Sequence, residues 1–252
     1  MASGREFDGK VAIVTGAGRN IGRAIALALA DGGAAVAINV RSKRAEAESV
    51  AREIETLGGK ALVVVGDVAD ADAVQAMADA VVKQFGRTDI LVNNAALRRE
   101  RSFGEMSYAE WREIMDVTLD GAFHCVKACL PALRQSGHGT IVNIGGLSAH
   151  TGAKSRAHVV TAKAGIIGFT RALAHDLAVD GITVNCVVPG LIGAPRAKGT
   201  PEPAHHLTHQ TITGARGKPE DVAAAVRFLC GPGARYINGQ AIHANGGAYL
   251  GA

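Results

Sequence analysis

A glycine-rich turn follows the first apolar segment of the chain and is suited to binding phosphate. Residues 10–15 read KVAIVT, and TGAGRNIG over 15–22 leads directly into a helix-forming segment. Glycines allow a tight turn and a close approach of the backbone to a ligand, and the free N–H groups at a helix N-terminus attract anions. Between a strand and a helix at the start of an alternating chain, this turn predicts a dinucleotide site rather than a plain tight turn.

Three arginines, Arg98, Arg99 and Arg101, lie close together around Glu100. Guanidinium groups bind carboxylates and phosphates, so the cluster can hold an acidic substrate. Because Glu100 lies among them, a solvated surface loop is an equally good interpretation. The sequence leaves both interpretations open.

The histidines and cysteines do not predict a metal site. His205, His206 and His209 have partial metal-like spacing but no accompanying cysteine or carboxylate, and a flexible lid is the better interpretation. The four cysteines lack C-x-x-C spacing, and Cys125 and Cys129 share a helix face, as small buried residues of a reducing compartment do. We therefore expect no bound metal.

An alternation of short apolar and longer amphipathic segments must position these residues. The predicted strands are residues 10–15, 35–40, 60–65, 89–92, 140–144, 183–188 and 240–243. The predicted helices are residues 20–30, 41–57, 69–85, 107–134 (one long or two broken helices), 156–179 and 219–229. Apolar strands that alternate with helices indicate a parallel sheet covered on both faces. The prediction is one Rossmann-type, doubly wound α/β domain over residues 1–252, with a substrate lid at 193–218 because so long an irregular segment is unusual in a compact domain.

Composition and charge exclude several classes of protein. The chain has 252 residues, 48% hydrophobic and 20% charged, which fits one α/β domain and not a disordered, collagen-like or disulfide-rich chain. Every apolar run stops well short of the ~18 residues of a membrane span, and the first residues do not resemble a signal peptide. We expect a cytoplasmic protein without a membrane partner. The basic residues are scattered, so we expect no nucleic-acid partner, and an anionic small molecule accounts for the net charge of +4 equally well.

Five motifs occur in the order found in short-chain dehydrogenases/reductases. They are T-G-x-x-x-x-x-G at 15–22, Gly66-Asp67-Val68, Asn93-Asn94-Ala95-Ala96, Lys163 before an Ala/Gly-rich helix, and Pro189-Gly190. From about Phe7 to Tyr249 the chain resembles this family, and its 3-oxoacyl-carrier-protein reductase branch most closely. Asn20 and Ala96 stand where the family usually has glycine. Asparagine tolerates a left-handed backbone, so we expect Asn20 to preserve the turn.

The resemblance implies a nicotinamide dinucleotide site, a small-molecule substrate and a homotetramer. Around the adenosine and phosphates, it places Gly16, Arg19, Asn20, Ile21, Gly22, Arg41, Ser42, Asp67 and Val68. Around the nicotinamide and its ribose, it places Asn94, Ala95, Ala96, Thr118, Lys163, Pro189, Gly190 and Ile192. Capping of the next helix is an alternative role for Asp67, although Asp70 lies nearer that helix.

The charges near the second predicted strand favour NADP over NAD. NAD enzymes of this fold hold the ribose hydroxyls with a carboxylate at the end of that strand. The aligned residue here is Val40, Arg41 follows it, and Arg19 lies in the phosphate turn. Two guanidinium groups without a carboxylate suit a 2′-phosphate. NADP is therefore the predicted cofactor.

Most of the family's proton-transfer groups are absent from this chain. The family has a Tyr four residues before the Lys, where it gives a proton to the substrate carbonyl, and a Ser thirteen residues before that Tyr. The aligned residues are Val159 and Gly146, and Thr118 stands where an Asn is expected. Lys163 alone matches, and it can hold the ribose hydroxyls without the Tyr.

Three polar residues near these positions are candidate replacements. Ser148 and His150 lie on a segment expected to border the substrate, and His158 directly precedes Val159. Histidine donates protons readily near neutral pH, but each of the three can also be a solvated loop residue or a helix cap. The sequence predicts an NADP(H)-dependent oxidoreductase acting on a carbonyl or alcohol, with Lys163, Ser148 and His158 as catalytic candidates. The alternatives are a non-catalytic NADP-binding subunit or sensor, or a repurposed non-redox enzyme.

Overall fold

A seven-stranded parallel sheet lies at the centre of the computed structural model, which describes residues 5–193 and 210–251. Its strands are β1 (Val11–Val14), β2 (Ala35–Val40), β3 (Lys60–Val65), β4 (Ile90–Asn93), β5 (Thr140–Ile144), β6 (Thr183–Pro189) and β7 (Ala241–Ala244). Their order is β3-β2-β1-β4-β5-β6-β7, and every pair of neighbours is parallel. Five of the strands, β1, β2, β4, β5 and β6, are almost wholly buried, as expected for a sheet that is covered on both faces.

Eight α-helices cover the two faces of the sheet in the described part of the chain. They are α1 (Asn20–Asp31), α2 (Arg44–Thr56), α3 (Ala71–Phe85), α4 (Tyr108–Met115), α5 (Gly121–Gln135), α6 (Ser148–Thr151), α7 (Ala157–Asp176) and α8 (Pro219–Cys230). One apolar core joins the sheet to α1, α2 and α8, and a second joins it to α3, α5 and α7. The predicted doubly wound Rossmann-type α/β fold is confirmed.

Two helix starts differ from the sequence prediction and leave candidate ligand-binding residues in loops. Helix α2 begins at Arg44, so Arg41 and Ser42 precede it. Helix α3 begins after Asp70, whose side chain accepts hydrogen bonds from the backbone N–H groups of Asp72 and Ala73 at 2.9 and 3.2 Å. Asp67 instead accepts from the backbone N–H of Ala69 at 3.0 Å. Asp70 is therefore the N-cap, and the capping role considered for Asp67 is wrong.

The long helical segment predicted over residues 107–134 is continuous but irregular. Helices α4 and α5 are joined by a π-helical turn, Asp116–Asp120. Ser107 and Glu110 form a capping box at the start of α4. Arg112, in the second turn of α4, binds the carboxylates of both Asp116 and Asp120 and so links α4 to the π turn. Single π turns inside α-helices occur often at functional sites, and this turn carries Thr118.

The segment predicted to be a substrate lid is described only at its two ends. Residues 194–209, including His205, His206 and His209, lie outside the described residues. At the near ends, Ile192 pairs with Gly217, and the N–H of Gly193 donates to the carbonyl of Gly217 at 2.8 Å. In residues 5–193 and 210–251, no helix is both long and apolar enough to cross a membrane. The same residues contain no cluster of three or more potential metal ligands.

Candidate cofactor and active site

A cleft of about 450 Å³ opens at the carboxyl ends of β1, β2, β3 and β4. It lies where the strand order reverses between β1 and β4, the position at which open α/β sheets bind ligands. Thirteen of the predicted cofactor residues line it: Gly16, Arg19, Asn20, Ile21, Gly22, Arg41, Ser42, Asp67, Val68, Asn94, Ala95, Ala96 and Ile192. The structure thus brings together most of the residues that the sequence singled out.

The glycine-rich turn brings bare backbone to the floor of the cleft. A Cβ on Gly22 would lie 2.3 Å from the carbonyl oxygen of Gly16, and a Cβ on Gly18 would lie 2.9 Å from Cγ1 of Val40. Asn20 has a φ of 50°, so the predicted left-handed asparagine is confirmed. The first N–H groups of a helix have no partner within the helix, so the start of α1 offers donors to an anion in the cleft.

Asn94 fixes the position of this turn relative to β4. Its Nδ2 donates to the carbonyl oxygens of Thr15 and Gly16 at 2.8 and 3.1 Å. The backbone N–H groups of Asn94 and Ala95 both donate to the hydroxyl of Thr15 at 3.0 Å. The loops that follow β1 and β4 therefore form one hydrogen-bonded unit.

Two arginines lie at the end of the cleft next to β2. Arg19 and Arg41 both line the cleft and are exposed, and neither forms an ion pair with another described residue. Val40 between them is 6% exposed. Two described carboxylates line the cleft: that of Asp67, which follows β3, and that of Glu46, which is bound by Lys43 at 3.0 Å.

Lys163 is the buried cation of the site. It lies on α7, is 8% exposed, and donates from Nζ to the carbonyl oxygen of Ile144 at 2.5 Å. Burial lowers its pKa to about 8, and the positive charge of Arg98 adds to this effect. A Cβ on Gly146 would lie 3.6 Å from Cγ of Lys163, and Val159 precedes Lys163 by one helical turn. Gly146, Val159 and Lys163 therefore meet at one place.

The surroundings of Val159 are apolar. It is 3% exposed and belongs to a cluster with Ile114, Met115 and Ala162, against which Leu97 and Trp111 also pack. Neither this valine nor Gly146 can donate a side-chain proton. Thr118, on the π turn, is 4% exposed, and its hydroxyl has no hydrogen-bond partner among the described residues.

The candidate replacement donors lie in different surroundings. Ser148 is half-buried and begins α6, a short helix that the sequence did not predict. His158 is wholly buried, neither ring nitrogen has a hydrogen-bond partner among the described residues, and burial lowers its pKa. A ring that solvent does not reach cannot touch a substrate in this conformation.

His150 belongs to a cluster of rings that sequence reasoning missed. Its ring centroid lies 4.6 Å from that of His243 and 4.9 Å from that of Tyr249. The motif Asn245-Gly246-Gly247 was the only signal near these residues, and it does not reveal that β7 ends beside α6.

Pro189 and Gly190 lie where the loops after β5, β6 and β7 meet. The N–H of Leu147 donates to the carbonyl of Pro189 at 3.1 Å, and the N–H of Gly190 donates to that of Ala244 at 3.0 Å. A Cβ on Gly190 would lie 2.6 Å from Cα of Asn245. This close packing requires glycine and keeps the backbone at the end of β6 free of side-chain bulk.

Comparison with known proteins agrees with this arrangement. A family model described as "Enoyl-(Acyl carrier protein) reductase" matches residues 16–249. A 3-oxoacyl-[acyl-carrier-protein] reductase FabG of Staphylococcus aureus is 40% identical over 96% of this chain and 98% of its own. The 3-oxoacyl-[acyl-carrier-protein] reductase of Synechocystis is 40% identical over 96% of this chain and 97% of its own. The chain belongs to the short-chain dehydrogenase/reductase family.

Solved structures of short-chain dehydrogenases/reductases show the same fold. A dehydrogenase/reductase from Sinorhizobium meliloti superimposes with a TM-score of 0.92, at 33% identity over 98% of both chains. A short-chain dehydrogenase from Burkholderia cenocepacia, solved in complex with NADP, has a TM-score of 0.89 at 36% identity over 96% of this chain and 99% of its own. The family resemblance deduced from the five motifs is confirmed.

The structure of this short-chain dehydrogenase/reductase separates the three clustered arginines. Arg99 binds the carboxylate of Glu113, and Arg101 binds that of Glu110 at 2.9 Å. Both carboxylates belong to α4. Arg98 instead lines the cleft and forms no ion pair with another described residue. The solvated-loop interpretation therefore fits Arg99 and Arg101 but not Arg98.

Proposed function

We propose that this protein is an NADP(H)-dependent oxidoreductase that interconverts a carbonyl and an alcohol group. The pairing of Arg19 with Arg41 at one end of the cleft carries the cofactor part of the proposal. The two residues are exposed, line the same cleft as buried Val40, and form no ion pair with a described carboxylate. They are available to form charge-assisted hydrogen bonds with a phosphate.

The nearby carboxylate of Glu46 does not oppose this preference. An NAD site needs a carboxylate that is free to accept hydrogen bonds from two ribose hydroxyls. Glu46 is held by Lys43, so the local charge of Arg19, Arg41, Lys43 and Glu46 together is positive. A 2′-phosphate is stabilised by this positive charge, whereas a neutral diol gains little from it.

The remainder of the cleft fits the rest of a dinucleotide. The glycine turn and the start of α1 offer backbone donors for the two linking phosphates. Asp67 uses one carboxylate oxygen on the backbone N–H of Ala69 and has a second oxygen to offer to the adenine end of the cleft. Gly190, after Pro189, offers backbone without a side chain to the nicotinamide.

When bound, the nicotinamide supplies or accepts the hydride at carbon. Reduction also requires a proton at the carbonyl oxygen, and Val159 and Gly146 have none to give. We assign Lys163 to holding the ribose hydroxyls and to delivering this proton, directly or through the hydroxyl of Ser148. A pKa of about 8 leaves its ammonium protonated at neutral pH and able to release a proton. His158 serves only if the start of α7 moves, because its ring is buried.

A second candidate function is that of a non-catalytic NADP(H)-binding subunit or sensor. The observation that favours it is the apolar cluster around Val159, which fills the region where this family places its proton donor. Loss of a general acid costs ~10²–10⁴-fold in rate rather than all activity, so the first function remains our proposal.

The cofactor preference is tested by fluorescence titration with NADPH and NADH. We expect tighter binding of NADPH, and we expect Arg41→Asp with Arg19→Ala to weaken it by ~1–3 kcal/mol per lost contact while NADH is unaffected. Arg44→Ala is the matched control, because Arg44 begins α2 and lies 3.8 Å from Glu48. Equal affinities in the unmodified protein would refute the preference.

The catalytic part of the proposal is tested by turnover on a broad panel of ketones, aldehydes and alcohols. Measurable NADP(H)-dependent turnover that is lost in Lys163→Met supports the oxidoreductase. Tight NADPH binding without turnover on any member of the panel favours the non-catalytic subunit.

A further inference from the structure

Arg98 is the one member of the arginine cluster that lines the cleft. Its neighbours Arg99 and Arg101 are both neutralised by glutamates of α4, whereas Arg98 lines the cleft without a described ion-pair partner. Water reaches the side chain, yet the concave protein surface around it removes enough hydration to lower its pKa. A partly desolvated guanidinium forms stronger bonds with an anion than a fully solvated one.

A backbone hydrogen bond places the arginine segment near the start of α7, at a residue with an unusual backbone conformation. The N–H of Arg101 donates to the carbonyl of Ser155 at 2.7 Å, which ties the arginine segment to the residue before Arg156. Ser155 has a φ of 59°, the left-handed region that non-glycine residues seldom adopt. Such strain is found most often around binding sites, where the surrounding structure maintains it.

Two further cations lie within the electrostatic reach of Arg98. Arg156 is 7% exposed and is the N-cap residue of α7, the helix that carries Lys163. Burial is the largest cause of the lowered pKa of each, and in both cases the positive charge of Arg98 adds to it. Glu100 is the acidic group that interacts with Arg156, and it offsets one of the three charges.

We propose that the substrate of this site carries a carboxylate in addition to its carbonyl group, and that Arg98 binds this carboxylate. The inference names the substrate class and rests on the proposed function. Glu100 offsets the charge of Arg156, so the charges of Arg98 and Lys163 are left to repel each other, and one bound anion relieves that repulsion. Lys163 is next to Gly146, so a carboxylate on Arg98 would hold the carbonyl of a short oxo acid toward Lys163.

The test compares short oxo acids with their neutral esters. Pyruvate, acetoacetate and levulinate, and the methyl ester of each, are titrated into the NADP-saturated protein. Trp111 is the only tryptophan of the chain and packs against the cluster that includes Leu97, the residue before Arg98. Its fluorescence, together with calorimetry, reports binding without any need for turnover.

We expect at least one acid to bind tenfold or more tightly than its ester. Arg98→Gln should weaken the binding of that acid by about 10- to 100-fold, because one hydrogen bond to a charged group is lost. The affinity for the ester should stay unchanged. Arg98→Lys should recover part of the lost affinity. Arg99→Gln is the matched control, since Glu113 already neutralises Arg99, and it should bind both ligands as the parent does.

Three results would overturn the proposal. The first is that no acid binds better than its ester. The second is that Arg98→Gln binds the acid as the parent does. The third is that Arg98→Gln lowers the affinity for NADPH by a similar factor when no acid is present. The anion bound by Arg98 would then be a phosphate of the cofactor. Acid binding that depends on Arg98 in a protein without turnover would favour the non-catalytic subunit, and Arg98 would then bind the carboxylate of a ligand and not of a substrate.

Discussion

Adding a hydroxyl group at Val159 and another at Gly146, the residues that we align with the family's Tyr and Ser, should raise ketone reduction. The double variant Val159→Tyr with Gly146→Ser places a hydroxyl one helical turn before Lys163 and a second one beside it. Both the nicotinamide end of the cleft and Lys163 are already in place, so the added groups need no new partner. A positioned general acid contributes ~10²–10⁴-fold, which corresponds to ~3–5.5 kcal/mol of transition-state stabilisation.

The structure indicates how much stability each of the two substitutions should cost. A Cβ at Gly146 would lie 3.6 Å from Cγ of Lys163, an ordinary contact, so serine fits with little adjustment. Val159 is 3% exposed and packs among Ile114, Met115 and Ala162, so the larger tyrosine must displace its neighbours. Overpacking of this kind costs ~1–3 kcal/mol of stability. The variant should therefore melt at a lower temperature while it reduces ketones faster.

The assay is the rate of NADPH consumption on a panel of ketones, with NADPH affinity and thermal melting measured on the same samples. Thr161→Tyr with Gly146→Ser is the matched control, because Thr161 lies two residues before Lys163, on the opposite, exposed face of α7. Lys163→Met in the restored variant should remove the gain. A double variant that folds and binds NADPH like the parent, yet reduces no ketone faster, would refute our assignment of Val159 and Gly146 to the missing positions.

Two further predictions concern acid stability and assembly. Burial lowers the pKa of His158 below its ordinary 6.5, so the unfolded chain binds a proton more readily than the folded protein does. The free energy of unfolding should therefore be highest above about pH 6.5 and should fall as the pH drops below that value. Denaturant titrations at about pH 8 and about pH 5.5 should show this loss, and His158→Phe should reduce it, although the lowered pKa values of His150 and His243 contribute in the same direction. We also predict a homotetramer, since Phe123 on α5, Phe228 on α8 and Leu250 are 49%, 55% and 76% exposed. Light scattering should give the mass of four chains of 25.9 kDa each, and a single-chain mass at micromolar concentration would contradict the prediction.

Features that depend on local backbone geometry could be predicted from the sequence. The order of strands and helices follows from apolar runs separated by amphipathic ones, and all seven predicted strands are present. The left-handed conformation of Asn20 followed from its place in a glycine turn, because few other side chains tolerate a positive φ. The switch of strand order between β1 and β4 then locates the cleft without further information.

Features that depend on contacts between distant segments could not be predicted. The sequence gives Arg98, Arg99 and Arg101 equal standing, and only the packing of α4 shows that two of them have glutamate partners. The contact between His150 and His243 joins residues that are far apart in the chain and requires β7 to lie beside β6. The π turn at Asp116–Asp120 leaves no mark in the apolar pattern, because one extra residue in a turn is set by tertiary packing.

The cofactor cleft and the proton-transfer group depend on different parts of the molecule. The cleft is shaped by backbone: glycines that exclude a Cβ, the start of α1, and the hydrogen bonds of Asn94 to Thr15 and Gly16. Proton transfer depends on single side chains projected from α7 and the loop after β5, and no backbone hydrogen bond is lost when those side chains change. Substitution at positions 146 and 159 therefore alters the chemistry of the site while the cradle remains. The described hydrogen bonds that shape the cleft do not involve the side chain of Arg98, so Arg98→Gln can test ligand binding while the backbone of the cleft is kept.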